Sequence, residues 1–311
     1  MKKILVVLVI GMLVFAACKT NDGNKPPLLG SDIKIEVPEY FSPDPDVPDY
    51  KMEVTITPTS FLNTIKDWTI RIEPIRDPAA QTGTGQGARQ RQPAAVGEDG
   101  QPIQRPSRGP FFEEKGEGTP PAKWYWDGNS SREPRPGRER DRVQSAGRYE
   151  LTLIVTDFSG ESTEYKHEID VDVLVRRDEN GDLRMIVSDI TFPPSSADFS
   201  LLGEQEMRSN RRVLNLVGRA LNKYSDYAVT IEGHANPTTA PNTPARTQEQ
   251  VGDLRLSQQR AQAVADYLAA NQNIDKSRLN VVGIGNARTI APYDDPDENW
   301  KNRRVEFILH K

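Results

Sequence analysis

The period of the hydrophobic pattern changes part-way along this chain of 311 residues. In the first half, apolar and polar residues alternate in short runs such as Trp68, Ile70 and Ile72, a spacing typical of half-buried strands. In the last third, apolar residues such as Val213 and Val217 recur at helical spacing. The two periods predict a multidomain fold, in which an all-β sandwich precedes an α/β sandwich.

The first 17 residues have the composition of a signal peptide. Lys2 and Lys3 precede the apolar run from Ile4 to Phe15, which is short for a membrane span but has the length of a signal peptide's apolar segment. The single cysteine of the chain, Cys18, follows directly. We therefore expect residues 1–17 to be removed. Because the chain has a single cysteine, it cannot form an intrachain disulfide.

The sequence Phe15-Ala16-Ala17-Cys18 resembles the lipobox of bacterial lipoproteins, although Phe15 replaces the usual leucine. The resemblance implies acyl chains on Cys18, and each buried methylene of such a chain contributes about 0.8 kcal/mol to membrane binding. Lys19 is not the aspartate associated with retention in the inner membrane. We therefore expect a lipid anchor in the outer membrane, on its periplasmic face, followed by a tether over residues 18–32.

Residues 33–176 are expected to form the all-β sandwich. The patterns W-x-I-x-I at Trp68, W-D-G at Trp126 and A-G-x-Y-x-L from Ala146 resemble the immunoglobulin-like or fibronectin-like modules of bacterial surface and flagellar hook-cap proteins. Trp68 and Trp126 are expected in the core. A stretch rich in Gly, Gln, Pro and Arg, at about 77–121, follows neither period, and we expect it to be a disordered insertion.

Asn180-Gly181 lies between two alternating apolar runs, which is a strong signal for a β-hairpin. The hairpin, placed at residues 177–187, marks the expected domain boundary. Acidic residues at alternate positions around it suggest a calcium loop, but Leu183 stands where an EF-hand requires glycine.

The net charge of -5 gives no basic field for nucleic acid, so that partner is disfavoured.

After the boundary, strands and helices alternate. We expect strands at 186–192, 227–231, 278–282 and 304–309, and helices at 204–224 and 256–270, the second with Ser257 as its N-cap. This order, β-α-β-α-β-β, predicts an α/β sandwich with the helices on one face of a mixed sheet.

Four stretches of residues 188–311 carry a recognisable pattern: SDITFPPSSADF, VTIEGHAN, LRLSQQRAQAVADYL and SRLNVVGIGNARTIAPYDDPDENWKNRRVEFIL. They resemble the OmpA-like C-terminal domain that is shared with peptidoglycan-associated lipoproteins. The resemblance covers about Ser188 to His310. It implies non-covalent binding of the diamino acid in the peptidoglycan stem peptide.

The resemblance also implies the site. In the family, the arginine of L-S-x-x-R-A binds the carboxylate of the zwitterionic ligand, and an aspartate shortly after G-H binds its ammonium. Arg260 holds the arginine position, and we place it in the first turn of its helix, where free N–H groups favour an anion. Asn236 replaces the aspartate. A hydrogen bond to a charged group is worth about 1.5–3 kcal/mol against about 1 for a neutral one, so this change weakens binding about tenfold.

Asp253 offers a compensation. The family often has asparagine three residues before the leucine of L-S, and Asp253 holds that position here. One hypothesis is that acid and amide have exchanged places across the pocket. The alternative is that Asp253 is a solvated residue near a helix N-terminus, where acids are favoured. Asn302 and Arg303, in the closing N-R-R-V-E motif, are expected nearest to the pocket.

His234 is expected at the rim of the ligand-binding pocket, where it orders the loop that follows its strand. The chain has only three histidines and one cysteine, none near His234 in sequence, so zinc ligation lacks partners. A nucleophile elbow and a glycine-rich phosphate loop are also missing from the sequence. The sequence therefore predicts neither an enzyme nor a bound metal or cofactor.

Taken together, these patterns predict an outer-membrane lipoprotein that links the membrane to the cell wall by binding peptidoglycan. The alternative keeps the OmpA-like fold but not the peptidoglycan ligand. In that case the C-terminal domain is an interaction module for another protein of the cell envelope.

Overall fold

The computed structural model describes residues 33–38, 40–42, 51–58, 65–75, 109–134, 140–295 and 298–311. The predicted signal peptide, Cys18 with its tether, and most of the expected insertion lie outside these ranges. No helix within them is long and apolar enough to cross a membrane.

Seven strands form the N-terminal domain, which we define as the described residues up to 175. They are β1 (Ile33–Glu36), β2 (Met52–Pro58), β3 (Ile65–Pro74), β4 (Phe112–Glu117), β5 (Lys123–Trp126), β6 (Arg148–Asp157) and β7 (Ser162–Asp170). They pair antiparallel into one sheet of order β1-β2-β5 and another of order β4-β3-β6-β7. Both sheets contribute alternate residues to one core, which includes the predicted Trp68 and Trp126.

Strand β4 corrects the expected extent of the insertion. Residues 112–117 pair with β3, so the prediction of disorder through about residue 121 is wrong for this part. Phe112 gives little periodicity in the sequence, but its ring packs against Trp124 and Trp126 at centroid distances of 5.5 and 6.0 Å. The buried aromatic contacts and the backbone ladder together offset the ordering entropy of this segment.

The C-terminal domain, residues 176–311, contains five strands and two long helices. They are β8 (Arg176–Arg177), β9 (Leu183–Val187), α1 (Glu204–Lys223), β10 (Ala228–His234), α2 (Pro244–Asn271), β11 (Leu279–Gly285) and β12 (Val305–His310). The sheet order is β11-β10-β12-β9-β8, and only the β10–β11 pair is parallel. The predicted order of strands and helices is confirmed, but the strand predicted at 186–192 is wrong in its bounds, because it lies at Leu183–Val187.

The expected domain boundary lies too late in the chain. The predicted hairpin at Asn180-Gly181 is present, because β8 and β9 pair antiparallel around it. Its second strand, however, pairs with β12 and belongs to the C-terminal sheet. Met185 and Val187 point into the core beneath the helices, so the domain begins at about Arg176 rather than at residue 188.

Both helices pack on one face of the sheet. Val213 and Val217 of α1 and Val264 of α2 share a core with Ile231 and other strand residues. Helix α2 lies unusually close to β10, because a Cβ built on Gly233 would stand 2.0 Å from the backbone oxygen of Ser257. Only glycine fits at that contact, which fixes the height of α2 above the strand ends.

Helix α2 begins twelve residues before the predicted start. Thr243 is its N-cap, with an Oγ1 that accepts from Arg246 N at 3.2 Å, and Pro244 occupies the first helical position. Glu249 holds the preceding loop by accepting hydrogen bonds from Thr238 and Thr239. Ser257 is therefore an internal, buried residue of the helix and not its N-cap.

The two domains touch through α1 and a 3-10 turn at Asn299–Asn302. Arg212 of α1 donates to Asp170 Oδ1 at 2.9 Å and to the carbonyl oxygen of Ala146 at 2.6 Å. The Nζ atom of Lys301, in the turn, lies 3.6 Å from Asp141 Oδ1. Burial lowers the pKa of Arg212, whose side chain is 26% exposed, so this contact is partly buried.

Candidate ligand-binding site

The predicted site residues gather where the parallel strands β10 and β11 end. Ala235 N donates to Gly285 O at 2.8 Å, which joins the two strand ends, and Gly285 N donates to Ser257 Oγ at 2.9 Å, which joins them to α2. In open α/β sheets, ligands bind outside the carboxyl ends of such strands. We call Asn236, Asp253, Arg260, Asn302 and Arg303 the polar cluster.

Arg260 lies in the middle of α2, so its predicted place in a first helical turn is wrong. The free N–H groups of a helix N-terminus therefore do not assist it. Its guanidinium instead donates to the backbone oxygens of Ser196 (3.2 Å) and Pro193 (3.3 Å) and lies over the Phe192 ring, 5.0 Å from the centroid. The strand-to-helix connection before α1 thus fixes the side chain in one direction.

Arg260 carries a positive charge that this part of the protein does not neutralise. Burial, together with the positive charge of Arg303, lowers its pKa to about 10, and the negative charge of Asp253 opposes this shift. Burial also lowers the pKa of Arg303. Among the described residues, neither guanidinium has a carboxylate within salt-bridge distance. Two half-buried cations that repel each other are costly unless an anion joins them.

Asp253 lies on the same face of α2 as Ser257 and Arg260, at helical spacings of four and seven residues. Its Oδ2 accepts from Asn286 Nδ2 at 2.8 Å. Burial raises the pKa of Asp253, and the negative charge of Glu249 adds to this, although the hydrogen bond from Asn286 opposes it. Asp253 is thus a half-buried acid inside α2 and not a solvated residue at its N-terminus, because the helix begins nine residues earlier.

Asn236 and Asn302 are joined directly. Asn302 Nδ2 donates to Asn236 Oδ1 at 2.8 Å, and Asn302 Oδ1 accepts from the backbone of Ile290 (2.8 Å) and Ala291 (3.0 Å). Asn302 is fully buried, so its amide organises the loop after β11. The neutral Asn236 keeps one oxygen lone pair for a further donor.

His234, predicted as a ligand-binding residue, is not part of the polar cluster. Ile231 and Gly233 face the helices, so the alternating Glu232 and His234 face the opposite side of the sheet. The imidazole lies near the carboxylates of Glu232 and Glu306. The structure therefore separates His234 from Arg260 by the thickness of the sheet.

Three contacts of the cluster were not predicted. The ring of Phe192 lies beneath Arg260, and Asn286 donates to Asp253. Gln250 Nε2 donates to the backbone oxygen of Ile284, and Gln250 Oε1 accepts from the backbone nitrogen of Asn286. Thr243-Pro244 is the sequence signal that places Gln250 on a helix, since a threonine N-cap followed by proline at N1 starts many helices.

The C-terminal domain is similar to known proteins. The sequence profile of the OmpA family matches residues 191–303. The peptidoglycan-binding protein ArfA of Mycobacterium tuberculosis is 30% identical over 129 residues, which cover 42% of this chain and 36% of that protein. The peptidoglycan-associated lipoprotein of Brucella melitensis is 31% identical over 129 residues, which cover 38% of this chain and 70% of that protein.

The solved structure of the cell wall anchor of the T6SS from Pseudomonas aeruginosa is also similar, at 24% identity and a TM-score of 0.31, over 44% of this chain and 87% of that one. The chain spans only about a third of the length of the mycobacterial relatives, at 36%.

Proposed function

We propose that this chain, which belongs to the OmpA family, binds peptidoglycan without a covalent bond through its C-terminal domain. The observation that carries the proposal is the pair of half-buried guanidinium groups, Arg260 and Arg303, that lack a carboxylate partner among the described residues. A free carboxylate of the stem peptide supplies the missing negative charge. The curated relatives named above are described as peptidoglycan-binding or peptidoglycan-associated, which supports the same ligand class.

The ammonium of the diamino acid is assigned to Asp253. An amino-acid head group carries its ammonium and its carboxylate on one carbon, so its receptor needs an anion close to a cation. Asp253 and Arg260 share one face of α2 and influence each other's pKa in the direction expected of opposite charges. The uncharged Asn236, placed by Asn302, contributes an acceptor oxygen at the edge of the cluster.

Co-sedimentation with purified sacculi tests the ligand. Arg260→Ala should weaken binding about 10–100-fold, because a hydrogen bond to a charged group contributes about 1.5–3 kcal/mol. Arg255→Ala, an exposed arginine of the same helix, is the matched control and should bind as the wild type does. Failure of the wild-type chain to pellet with sacculi would refute the proposal.

We further propose the lipid anchor at Cys18 and the placement in the outer membrane. The lipobox-like sequence and the similarity to a peptidoglycan-associated lipoprotein support both. Metabolic labelling with a palmitate analogue and membrane fractionation, compared between the wild type and Cys18→Ser, test them. A wild-type chain that takes up no label contradicts the anchor.

The N-terminal domain is proposed to be an immunoglobulin-like sandwich, supported by two antiparallel sheets that share one core.

In a second candidate function, the C-terminal fold no longer binds peptidoglycan, and the N-terminal domain contacts another envelope protein. The neutral Asn236, whose oxygen is already bonded to Asn302, favours that alternative. In neither function is the chain an enzyme, and incubation with sacculi should release no muropeptides.

A further inference from the structure

Three ligand-type side chains meet on the sheet face that is turned away from the helices. Glu232 and His234 lie two residues apart on β10, and Glu306 of β12 is the direct cross-strand partner of Glu232. We call Glu232, His234 and Glu306 the outer-face cluster. The backbone ladder between β10 and β12 holds all three Cα positions, so the cluster is rigid before any ligand arrives.

Several polar atoms of the outer-face cluster have no hydrogen-bond partner among the described residues. They are both ring nitrogens of His234 and the Oε2 atom of Glu232. The His234 side chain is 0% exposed and that of Glu232 is 9% exposed, so water does not readily replace the missing partners. An unsatisfied buried polar group costs about 1–3 kcal/mol, and a bound ion is one of the few arrangements that removes this cost.

The distances within the cluster are those between the ligands of one metal ion. His234 Nε2 is 3.4 Å from Glu232 Oε2 and 3.5 Å from Glu306 Oε1. Zinc bonds to nitrogen and oxygen of about 2.0–2.2 Å give ligand-to-ligand edges of about 3.3–3.6 Å in a tetrahedron. All three ligand atoms lie within 4.8 Å of one another, so rotation of a carboxylate closes the remaining edge.

We propose that Glu232, His234 and Glu306 bind a divalent transition-metal ion of the zinc class. One imidazole nitrogen and two carboxylate oxygens suit zinc, whereas calcium and magnesium prefer all-oxygen sites. The metal leaves the fourth position to water or another small ligand. The site lies across the sheet from the polar cluster, so it is independent of peptidoglycan binding.

Three arginines limit the affinity of this site. Arg184 lies 2.6 Å from Glu306 Oε2, Arg304 Nε donates to Glu306 Oε1 at 2.6 Å, and Arg288 lies 2.7 Å from Glu232 Oε1. Arg304 Nη2 also lies 2.5 Å from Glu306 Oε1, so a metal bound there must displace one Arg304 nitrogen from that oxygen. Glu232 Oε2 has no hydrogen-bond partner within the described part of the chain and is free for the metal. The guanidinium charges nevertheless repel a cation.

Arg288 therefore distinguishes a metal site from a purely structural ion-pair network. Its side chain is 48% exposed, and it covers Glu232 from the solvent side. In a metal site, Arg288→Ala removes a competing cation and opens the entry path, so zinc binding should tighten about tenfold or more. In a structural network, the same change only removes an ion pair and creates no metal affinity.

Isothermal titration of the untagged, chelator-treated full chain with zinc chloride tests the proposal. All variants carry Cys18→Ser, which removes the thiol as a competing ligand. We expect one zinc per chain, at least about 30-fold weaker binding in His234→Gln, and unchanged binding in the control His310→Gln. Cobalt in place of zinc should give visible absorption bands that His234→Gln abolishes.

The proposal is overturned by a wild type that takes up no zinc, by zinc binding that persists unchanged in His234→Gln, or by weaker binding in Arg288→Ala. Circular dichroism and urea unfolding show whether His234→Gln is folded. If it is not, the direction of the Arg288→Ala change decides the question, because that side chain is half exposed and its loss should leave the core intact.

Discussion

Replacing Asp253 with asparagine should remove most of the wall binding, and moving the acid to position 236 should restore it. In the wild type, Asp253 Oδ2 accepts from Asn286 Nδ2 at 2.8 Å. The asparagine keeps the size of the side chain and an oxygen that can accept the same hydrogen bond. What is lost is the negative charge. Exchanging a hydrogen bond to a charged group for a neutral one costs about 1–2 kcal/mol, which is about 5–30-fold in affinity.

The double variant Asp253→Asn with Asn236→Asp tests whether the position of the acid matters or only its presence. Asn302 Nδ2 already donates to the position 236 oxygen at 2.8 Å and would support a carboxylate there. The bond from Asn236 Nδ2 to Pro237 O, at 3.0 Å, is lost, so the rescue should be incomplete. We expect the double variant to recover about tenfold in affinity over Asp253→Asn.

The measurement is a titration of purified sacculi against each variant, with the bound fraction read from the pellet. Asp266→Asn, an exposed acid of the same helix that pairs with Lys276, is the matched control. If Asp253→Asn binds within twofold of the wild type while Arg260→Ala does not bind, the assignment of the ammonium to Asp253 is refuted.

Four further outcomes follow from the same structure. Because burial raises the pKa of Asp253 above its ordinary value of 3.8, sacculus binding should fall as the pH is lowered through the raised pKa, and Asp253→Asn should flatten this profile. The same shift makes the contribution of Asp253 to stability largest at low pH and lost as the pH rises through the folded-state pKa, as urea unfolding at several pH values would show. Gly233→Ala should lower the free energy of unfolding by about 3 kcal/mol, because the new Cβ meets backbone atoms of Ser257, whereas Gly252→Ala in open space on α2 should raise it by up to about 1 kcal/mol. Urea midpoints that move alike in both glycine variants would contradict this packing argument. Arg212→Ala should split the thermal unfolding of the chain into separate transitions for the two domains, detected by calorimetry, while the exposed Arg211→Ala should leave its shape unchanged.

The residues around Ser257 show how far the sequence alone reaches. The apolar spacing of Ala261, Val264 and Leu268 correctly predicted a helix there, because it reflects burial against the sheet. The extension back to Pro244 carries little apolar periodicity, since that part of the helix is held by side-chain contacts of Glu249 and Gln250. Local hydrogen bonds of this kind leave no period in the sequence.

The outer-face cluster shows a different limit. Glu232 and His234 are neighbours in sequence, but Glu306 reaches them only through the pairing of β10 with β12. Counting histidines and cysteines near His234 therefore missed the carboxylates that surround it. The sequence predicted that β10 and β12 are strands of one sheet. It did not predict which residues face each other across them, because that register depends on the whole fold.

The contacts between the two domains have a mechanical consequence. The ion pair of Lys301 with Asp141 connects the N-terminal domain to the turn that carries Asn302, and that of Arg212 with Asp170 connects it to α1. A pulling force applied to the N-terminal domain thus reaches the polar cluster through folded contacts and not only through the backbone. Load can strain the geometry of Asn302 and Asn236 before either domain unfolds, so the lifetime of a bound ligand would depend on tension.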